Sequence, residues 1–411
     1  MQSAERETGS TGKRAVPSYG LLLSICCGVT YACYFGSYMR IPVVPLYARS
    51  FGATTVDVGM INSSFLLMAG VLSLPLGILS DRLGRKLLIL SGLLVASLTS
   101  LLLCVSTTPF QLMAVYVLFG IGLAAFAPTM MSFVADFSPA THLGRSYGWY
   151  TLAVYAGMSM GPAAGGFTAQ WLGFPPVFVV SGILTFSVFL TAFFFLPRAR
   201  HVLINKPVKR DNLVVAKELM NNRPLLACWL VCFGSCFGLG MFVTFIPLHA
   251  REQGMNVGQV GLIFTAQALA NALSRIPFGQ LSDKVARRSN LVVIGLIGFS
   301  ICMAGFGIAS NTVAFVAIAI GMGVSMGVAF TAVGALISEV VPPDSRGLAM
   351  GGYNSCIYLG MMLCSLGMGP VIREIGFRNS FFIVALVDAA ATGLFYIMFK
   401  MSNKDDGRKI L

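Results

Sequence analysis

Charge is what this sequence has least of. Asp, Glu, Lys and Arg make up 10% of its 411 residues, where a water-soluble chain carries roughly 25%. With 56% of residues hydrophobic and a mean hydropathy of +0.81, there is too little polar surface to cover the chain in water. A bilayer is therefore the expected solvent. Histidine is scarce, at three, and the clustered His, Asp or Glu of a membrane enzyme is missing, so neither catalysis nor a resident metal or cofactor is expected. Among the acids only Asp388 falls clearly at mid-membrane depth. The ten cysteines all lie inside apolar runs, which reads as small buried hydrophobes rather than a disulfide framework. Cys228, Cys232 and Cys236 share one helix face; soft-metal chemistry is one reading of that spacing and packing is the expected one. Strand-like alternation is also missing, which excludes a barrel. Residues 1–18 are polar and mixed in charge, with no cleavable leader pattern, and read as a tail.

What is present is a series of continuous apolar runs of about 20 residues, the length that crosses the hydrocarbon as a helix. Twelve are expected, at about 19–47, 58–79, 87–106, 110–135, 145–172, 175–196, 225–250, 257–281, 290–309, 312–338, 346–371 and 378–400. Of the 28 Lys and Arg, four (Arg49, Arg251, Arg373, Arg378) fall in loops on one side and two (Arg40, Arg275) inside spans. All the rest fall on the side of the termini. The positive-inside rule makes that side cytoplasmic, so the net charge of +13 is a topology signal and not a nucleic-acid one. The 45 glycines and 21 methionines suit helices that approach closely in lipid. The expected organisation is a tail over 1–18, a six-helix bundle over 19–196, a basic cytoplasmic linker over 197–224, a second bundle over 225–400, and a tail over 401–411.

The two bundles are repeats. At an offset of 202, residues 59–86 align with 261–288 through Gly59/Gly261, Pro75/Pro277, Gly77/Gly279, Ser80/Ser282, Asp81/Asp283 and Arg85/Arg287, among others. At 203, Asp136 meets Glu339, and Tyr150/Tyr353, Tyr155/Tyr358 and Gly157/Gly360 follow. Parallel repeats joined by a linker can rock about a shared central site, opening it to one side and then the other.

Between spans two and three the chain reads Gly77-Ile-Leu-Ser-Asp81-Arg82-Leu-Gly84-Arg85-Lys86, which resembles the G-x-L-S-D-R-x-G-R-K signature of the major facilitator superfamily. A degenerate copy with Asp283 and Arg287 lies between spans eight and nine. The resemblance covers nearly the whole chain and implies a twelve-helix transporter, all-α, in two pseudo-symmetric bundles. It also implies that Gly77, Asp81, Arg82, Gly84, Arg85, Lys86, Asp283 and Arg287 serve an inner gate. Physically, a carboxylate facing a helix N-terminus with Arg beside it makes a charge-assisted latch. Span five carries Gly157, Gly161, Pro162, Gly165 and Gly166 as G-x-x-x-G-P-x-x-G-G. As packing, this is a flat groove with a bend at the proline. As a pattern, it resembles the antiporter signature of drug/proton exporters.

The chain departs from those exporters where protons are handled. Tyr116 holds the position of their span-four arginine, and span one has no acid. Span eight instead carries Gln267, Asn271 and Arg275 at i, i+4 and i+8, one polar stripe. Arg275 either snorkels to the interface or faces a cavity, and Arg40 either snorkels or draws an anion inward. Asp388 lies on a span that is peripheral in this architecture, so a partner on a neighbouring helix is expected first. The candidate cavity is Tyr31, Tyr34, Tyr38, Arg40, Tyr116, Trp149, Tyr155, Gln267, Asn271, Arg275, Tyr353, Asn354 and Tyr358, rings and hydrogen-bonding groups suited to a flat organic molecule. The expected activity is alternating-access efflux of a small amphipathic compound from the cell, with H+ the candidate coupling ion. An organic-anion carrier drawn on Arg40 and Arg275 is the alternative, and a non-transporting sensor the remote one. The expected partners are a small-molecule substrate and the bilayer, with the chain a monomer in the plasma membrane.

Overall fold

The structure, a computed structural model, describes residues 18–197, 217–285, 287–342 and 345–405. Residues 1–17, 198–216 and 406–411 of the expected tails and linker lie outside the described residues. Among those described there is no strand. Span one is Tyr19–Arg40 continued by Val43–Ser50; Pro42 and Pro45 lack the N–H groups an unbroken helix would need there. Spans two to six are Thr55–Leu83, Arg85–Val105, Pro109–Phe137, Leu143–Leu172 and Phe174–Phe195. Spans seven to ten are Arg223–Glu252, Val257–Lys284, Arg288–Ile308 and Thr312–Val340. Spans eleven and twelve occupy Arg346–Asp405, divided at Gly376 by a φ of 76° that favours glycine.

Nine described stretches are long and apolar enough to cross a bilayer, and the last of them, Arg346–Met401, holds both spans eleven and twelve. The two spans that fall short are five and eight, the ones enriched in Gly, Ser, Gln and Asn. They pack on each other across the boundary between the bundles. A helix face that meets protein rather than lipid has no need to be apolar.

The repeat extends to local chemistry. Thr54 with Asp57, and Asn256 with Gln259, form matching capping boxes at the starts of spans two and eight. Arg49 and Arg251 each donate, at 2.9 Å, to the carbonyl four residues on (Ala53 and Met255) and so fix the turn that follows. In one place the structure corrects the alignment. Arg85 pairs with Asp136, and its counterpart in the second bundle is Arg288, which pairs with Glu339, not Arg287. The second bundle has one extra residue in the loop before span nine, so the offset becomes 203 there and not after span nine. Arg287 is the exposed residue preceding that helix.

Candidate functional site

The loop of Asp81 to Lys86 marks one face of the molecule, here called the basic face. Asp81 meets Arg85 at 3.2 Å one turn on, and Arg85 reaches Asp136 at the end of span four. The Lys86 ammonium donates to the carbonyls of Phe193 and Leu196 at 2.7 and 2.5 Å, at the C-terminal end of span six where the helix dipole favours a cation. Gly84 turns the chain with φ 96°, and Arg82 is exposed. The Asp283 side chain lies outside the described residues. The Arg85–Asp136 and Arg288–Glu339 pairs and the Lys86 hydrogen bonds each tie a bundle to itself. Gly77, Gly144, Gly148, Gly347 and Gly351, on spans two, five and eleven towards this face, have open space where a Cβ would stand.

Towards the opposite face the bundles are closed on each other. Thr55 donates to the Gly369 carbonyl at 2.8 Å, and the Ala163 N–H donates to Thr265 at 3.0 Å. A Cβ on Gly166 would stand 2.7 Å from the Val257 carbonyl, and one on Gly59 or Gly261 would collide with the backbone of Ser365 or Pro162. Beyond this seal a cavity of about 380 Å³ opens outward, with Arg49, Arg251 and Glu252 in its wall. The state is open to the basic face and sealed at the other.

Between seal and opening, side chains from both bundles converge. The Arg275 guanidinium lies 4.6 Å from the centroid of the Tyr155 ring, a cation–π contact between the bundles. Its Nε donates to Asn271 Oδ1 at 3.1 Å, so the polar stripe serves to hold Arg275. Gln267 turns to Met326 on span ten, 3.2 Å from its sulfur. Tyr353 and Tyr155 lie within the electrostatic reach of Arg275. Tyr34 and Tyr38 stack towards each other at 6.2 Å and neighbour Tyr358, which packs on Gly70 of span two. Tyr150 joins this group and was absent from the sequence-derived set. Its repeat partner Tyr353 was the available signal. The cluster is thus tyrosine-rich, and among its described members Arg275 is the single ion.

Five expected cavity residues lie elsewhere. Arg40 is 1% exposed. Instead of snorkelling or facing the cavity, it is enclosed in the first bundle, donating to Ser100 at 2.9 Å with its guanidinium 3.7 Å from the centroid of the Phe119 ring. Tyr116 is buried beside it against Phe65 and Phe119. The position of the missing span-four arginine is thus next to an arginine supplied by span one. Trp149 lies on an exposed stripe of span five with Leu152, Met160 and Trp171, a lipid-facing surface. Tyr31 donates to the Met160 sulfur on that side. Asn354 is exposed, one position on from Tyr353.

The glycines of span five divide by partner. A Cβ on Gly157 or Gly161 would stand 2.6 Å from the carbonyls of Tyr31 and Phe35, and one on Gly165 would collide with Met39. These three seat span one within its own bundle. Gly166 and Pro162 face span eight across the boundary. Cys228, Cys232 and Cys236 are buried free thiols. Asp388 is 1% exposed, and among the described residues no side chain on a neighbouring helix pairs with its carboxyl, which lies against the Gly238 backbone of span seven.

Comparison with known proteins gives the same architecture. The profile of the Major Facilitator Superfamily matches residues 26–257 and 228–410. An uncharacterised MFS-type transporter of Methanocaldococcus jannaschii is 25% identical over 360 residues, 86% of this chain and 91% of that one. The multidrug resistance protein MdtG of Salmonella schwarzengrund is 28% identical over 265 residues, 62% of this chain and 65% of its own length. A bacterial homologue of the human lysosomal transporter Spinster, solved in an inward-facing, unoccupied conformation, superposes with a TM-score of 0.76 at 16% identity, covering 97% of this chain and 99% of that one. Its occupied form gives 0.77 over 95% and 98%.

Proposed function

The chain belongs to the Major Facilitator Superfamily, a transporter family, and from that premise we propose that it is a secondary active transporter exporting a small amphipathic organic compound in exchange for protons by alternating access. The observation that carries this reading is the convergence of tyrosines from both bundles around Arg275, between a sealed face and one where the boundary glycines meet open space. Tyrosine rings offer flat apolar contact with a hydroxyl at the edge, which suits a cargo with an apolar body and a polar end. The basic face is the cytoplasmic one by the distribution of Lys and Arg, so both termini are cytoplasmic and the state described is inward-facing. The bacterial and archaeal relatives support a plasma-membrane location, and the likeness to a multidrug resistance protein supports export.

Arg275 favours a second reading, a carrier for an organic anion. An arginine at this depth is costly unless it is met by charge or dipoles, and here it meets Asn271 and the face of Tyr155. Arg40 has no part in this reading, since it lies in the bundle interior. The readings separate in one experiment, a thermal-shift series on purified protein with a naphthalene sulfonate and a neutral naphthyl amine, repeated on Arg275→Gln. A charge-assisted hydrogen bond contributes about 1.5–3 kcal/mol. If the cargo is anionic, the variant loses about ten- to a hundredfold in sulfonate affinity with little change for the amine. Equal, small changes for both favour the neutral amphiphile.

A further inference from the structure

The exporter signature of span five stands in this chain without the proton-handling residues that accompany it elsewhere, and the second bundle holds one acid that nothing in the description above uses. Asp388 lies on span twelve, 1% exposed, and among the described residues no side chain bonds either carboxyl oxygen, the Gly238 backbone amide being the polar group against it. Three other spans close around it. Span seven brings Gly238, so near that a Cβ there would collide with the carboxylate, and span nine brings the edge of the Phe299 ring. Span eleven brings Cys364, the titratable group that faces it. On its own span, Thr392 hydrogen-bonds the Asp388 backbone carbonyl and not the carboxyl. Among the described residues no Lys, Arg or His is paired with it.

The repeat shows that this acid is a departure and not a packing necessity. Gly36 is the counterpart of Gly238 at offset 202, and the residue closing on Gly36 is Thr185 of span six, the counterpart of Asp388 at offset 203. The first bundle fills the site with a hydroxyl whose hydrogen bond goes to the Ser181 carbonyl. The second fills the same site with a carboxyl that, among the described residues, finds no side-chain donor. A buried carboxylate without a cation or donor is among the most expensive groups a membrane interior can hold, and the neutral acid costs far less.

We propose that Asp388 is the residue at which the coupling proton binds, in the seam between spans seven, nine, eleven and twelve. The step is the bare one: a carboxylate oxygen takes a proton and becomes a carboxylic acid, and no other bond changes. The packed state described here holds the acid form. Loss of the proton places a charge against Gly238 and Phe299, and that charge is relieved by parting the seam and admitting water. Spans seven and eleven are also boundary helices, with Phe245 beside Gly59 and Tyr358 against Gly70 of the other bundle. Protonation is thereby linked to the rocking of one bundle on the other. The assignment rests on the proton-exchange reading proposed above, and the test keeps the two apart.

The first measurement is thermal unfolding of the purified full chain between about pH 5 and about pH 8, for the wild type and for Asp388→Asn, with Asp388→Thr as the variant that copies the first bundle should the amide fold poorly. The melting temperature of the wild type falls as the pH rises through this range, because ionisation is then paid for in the folded state, and the variants lose that fall. An identical pH dependence in wild type and variants overturns the assignment. The second measurement is accumulation of anilinonaphthalene sulfonate in proteoliposomes. For one-for-one exchange, one pH unit supports at most about tenfold accumulation. The variants are expected to retain exchange of labelled for unlabelled probe while losing accumulation driven by the gradient. A wild type indifferent to the gradient removes the exchange reading and the coupling role with it, whereas the melting series still decides whether Asp388 takes up a proton. Variants driven as strongly as the wild type overturn the assignment and leave exchange standing.

Discussion

Replacing Gly261 with valine opens the sealed face. The Cβ of any side chain at this position collides with the Pro162 carbonyl, and the next nearest atoms are also those of Pro162 and Ala163, all in the other bundle. The substitution therefore acts on the contact between bundles while leaving its own bundle's packing alone. Overpacking of this kind costs about 1–3 kcal/mol, and here the atoms that must yield are backbone. The cost falls on the sealed state only, which shifts the balance between states by roughly 5- to 150-fold towards the one that parts the opposite face. Gly59→Val does the same against the backbone of Ser365 in span eleven. The check is a distance distribution between spin labels on Ser50 and Gln253, at the outer ends of spans one and seven, with the ten native cysteines removed. The mean distance lengthens in both variants. An unchanged distribution with intact folding contradicts the account of the seal.

Gly165→Ala has the opposite character: it damages the bundle itself. Its Cβ would overlap the Met39 carbonyl of span one, and the same helix pair is already in close contact at Gly157 and Gly161. In a helix interior the change from glycine to alanine by itself favours the helix by about 1 kcal/mol, so any loss of stability reports the collision directly. A net loss of about 2 kcal/mol or more is expected, seen as a fall of several degrees in the melting temperature of purified protein. Gly77→Ala is the control, since open space surrounds that position and its melting temperature should hold or rise slightly. Equal behaviour of the two variants contradicts the seating of span one on span five. The array that resembles an antiporter signature is thus, in this structure, mainly a seat for span one, with only Gly166 and Pro162 turned to the other bundle.

The sequence makes the architecture readable because the solvent imposes it. A bilayer forces helices, their length and the side on which cations collect, and a duplicated bundle leaves matched glycines, caps and prolines. The polar residues of the site obey no such uniform rule. Arg40 and Arg275 are both arginines inside apolar spans, yet one is enclosed by Ser100, Thr99 and Phe119 while the other reaches Tyr155 across the boundary. Their difference depends on which helices surround them, and this is set by packing at long range. Aromatic periodicity misleads for a related reason. In water an exposed Trp149 would stand out, but in a bilayer the lipid face and the packed face are both apolar, so Trp149 and Tyr31 read like cavity residues when they belong to the stripe of Met160. The gate loop was displaced by one residue because Arg287 and Arg288 adjoin, and only the pairing with Glu339 distinguishes them. Asp388 was visible as a mid-span acid, but the absence of a side-chain partner among the described residues is a property of four helices together.

The central claim, that two bundles pass a cargo through one central site by alternating access, is tested most directly by exchange across a membrane. Purified protein in sealed vesicles is loaded with unlabelled anilinonaphthalene sulfonate, and entry of the labelled compound is followed with and without that internal load. A carrier whose site faces one side at a time shows faster entry when the far side is loaded, and Gly261→Val, by disfavouring the sealed state, reduces that stimulation. Entry that rises in simple proportion to outside concentration, with no effect of the internal load and no effect of the variant, contradicts alternating access.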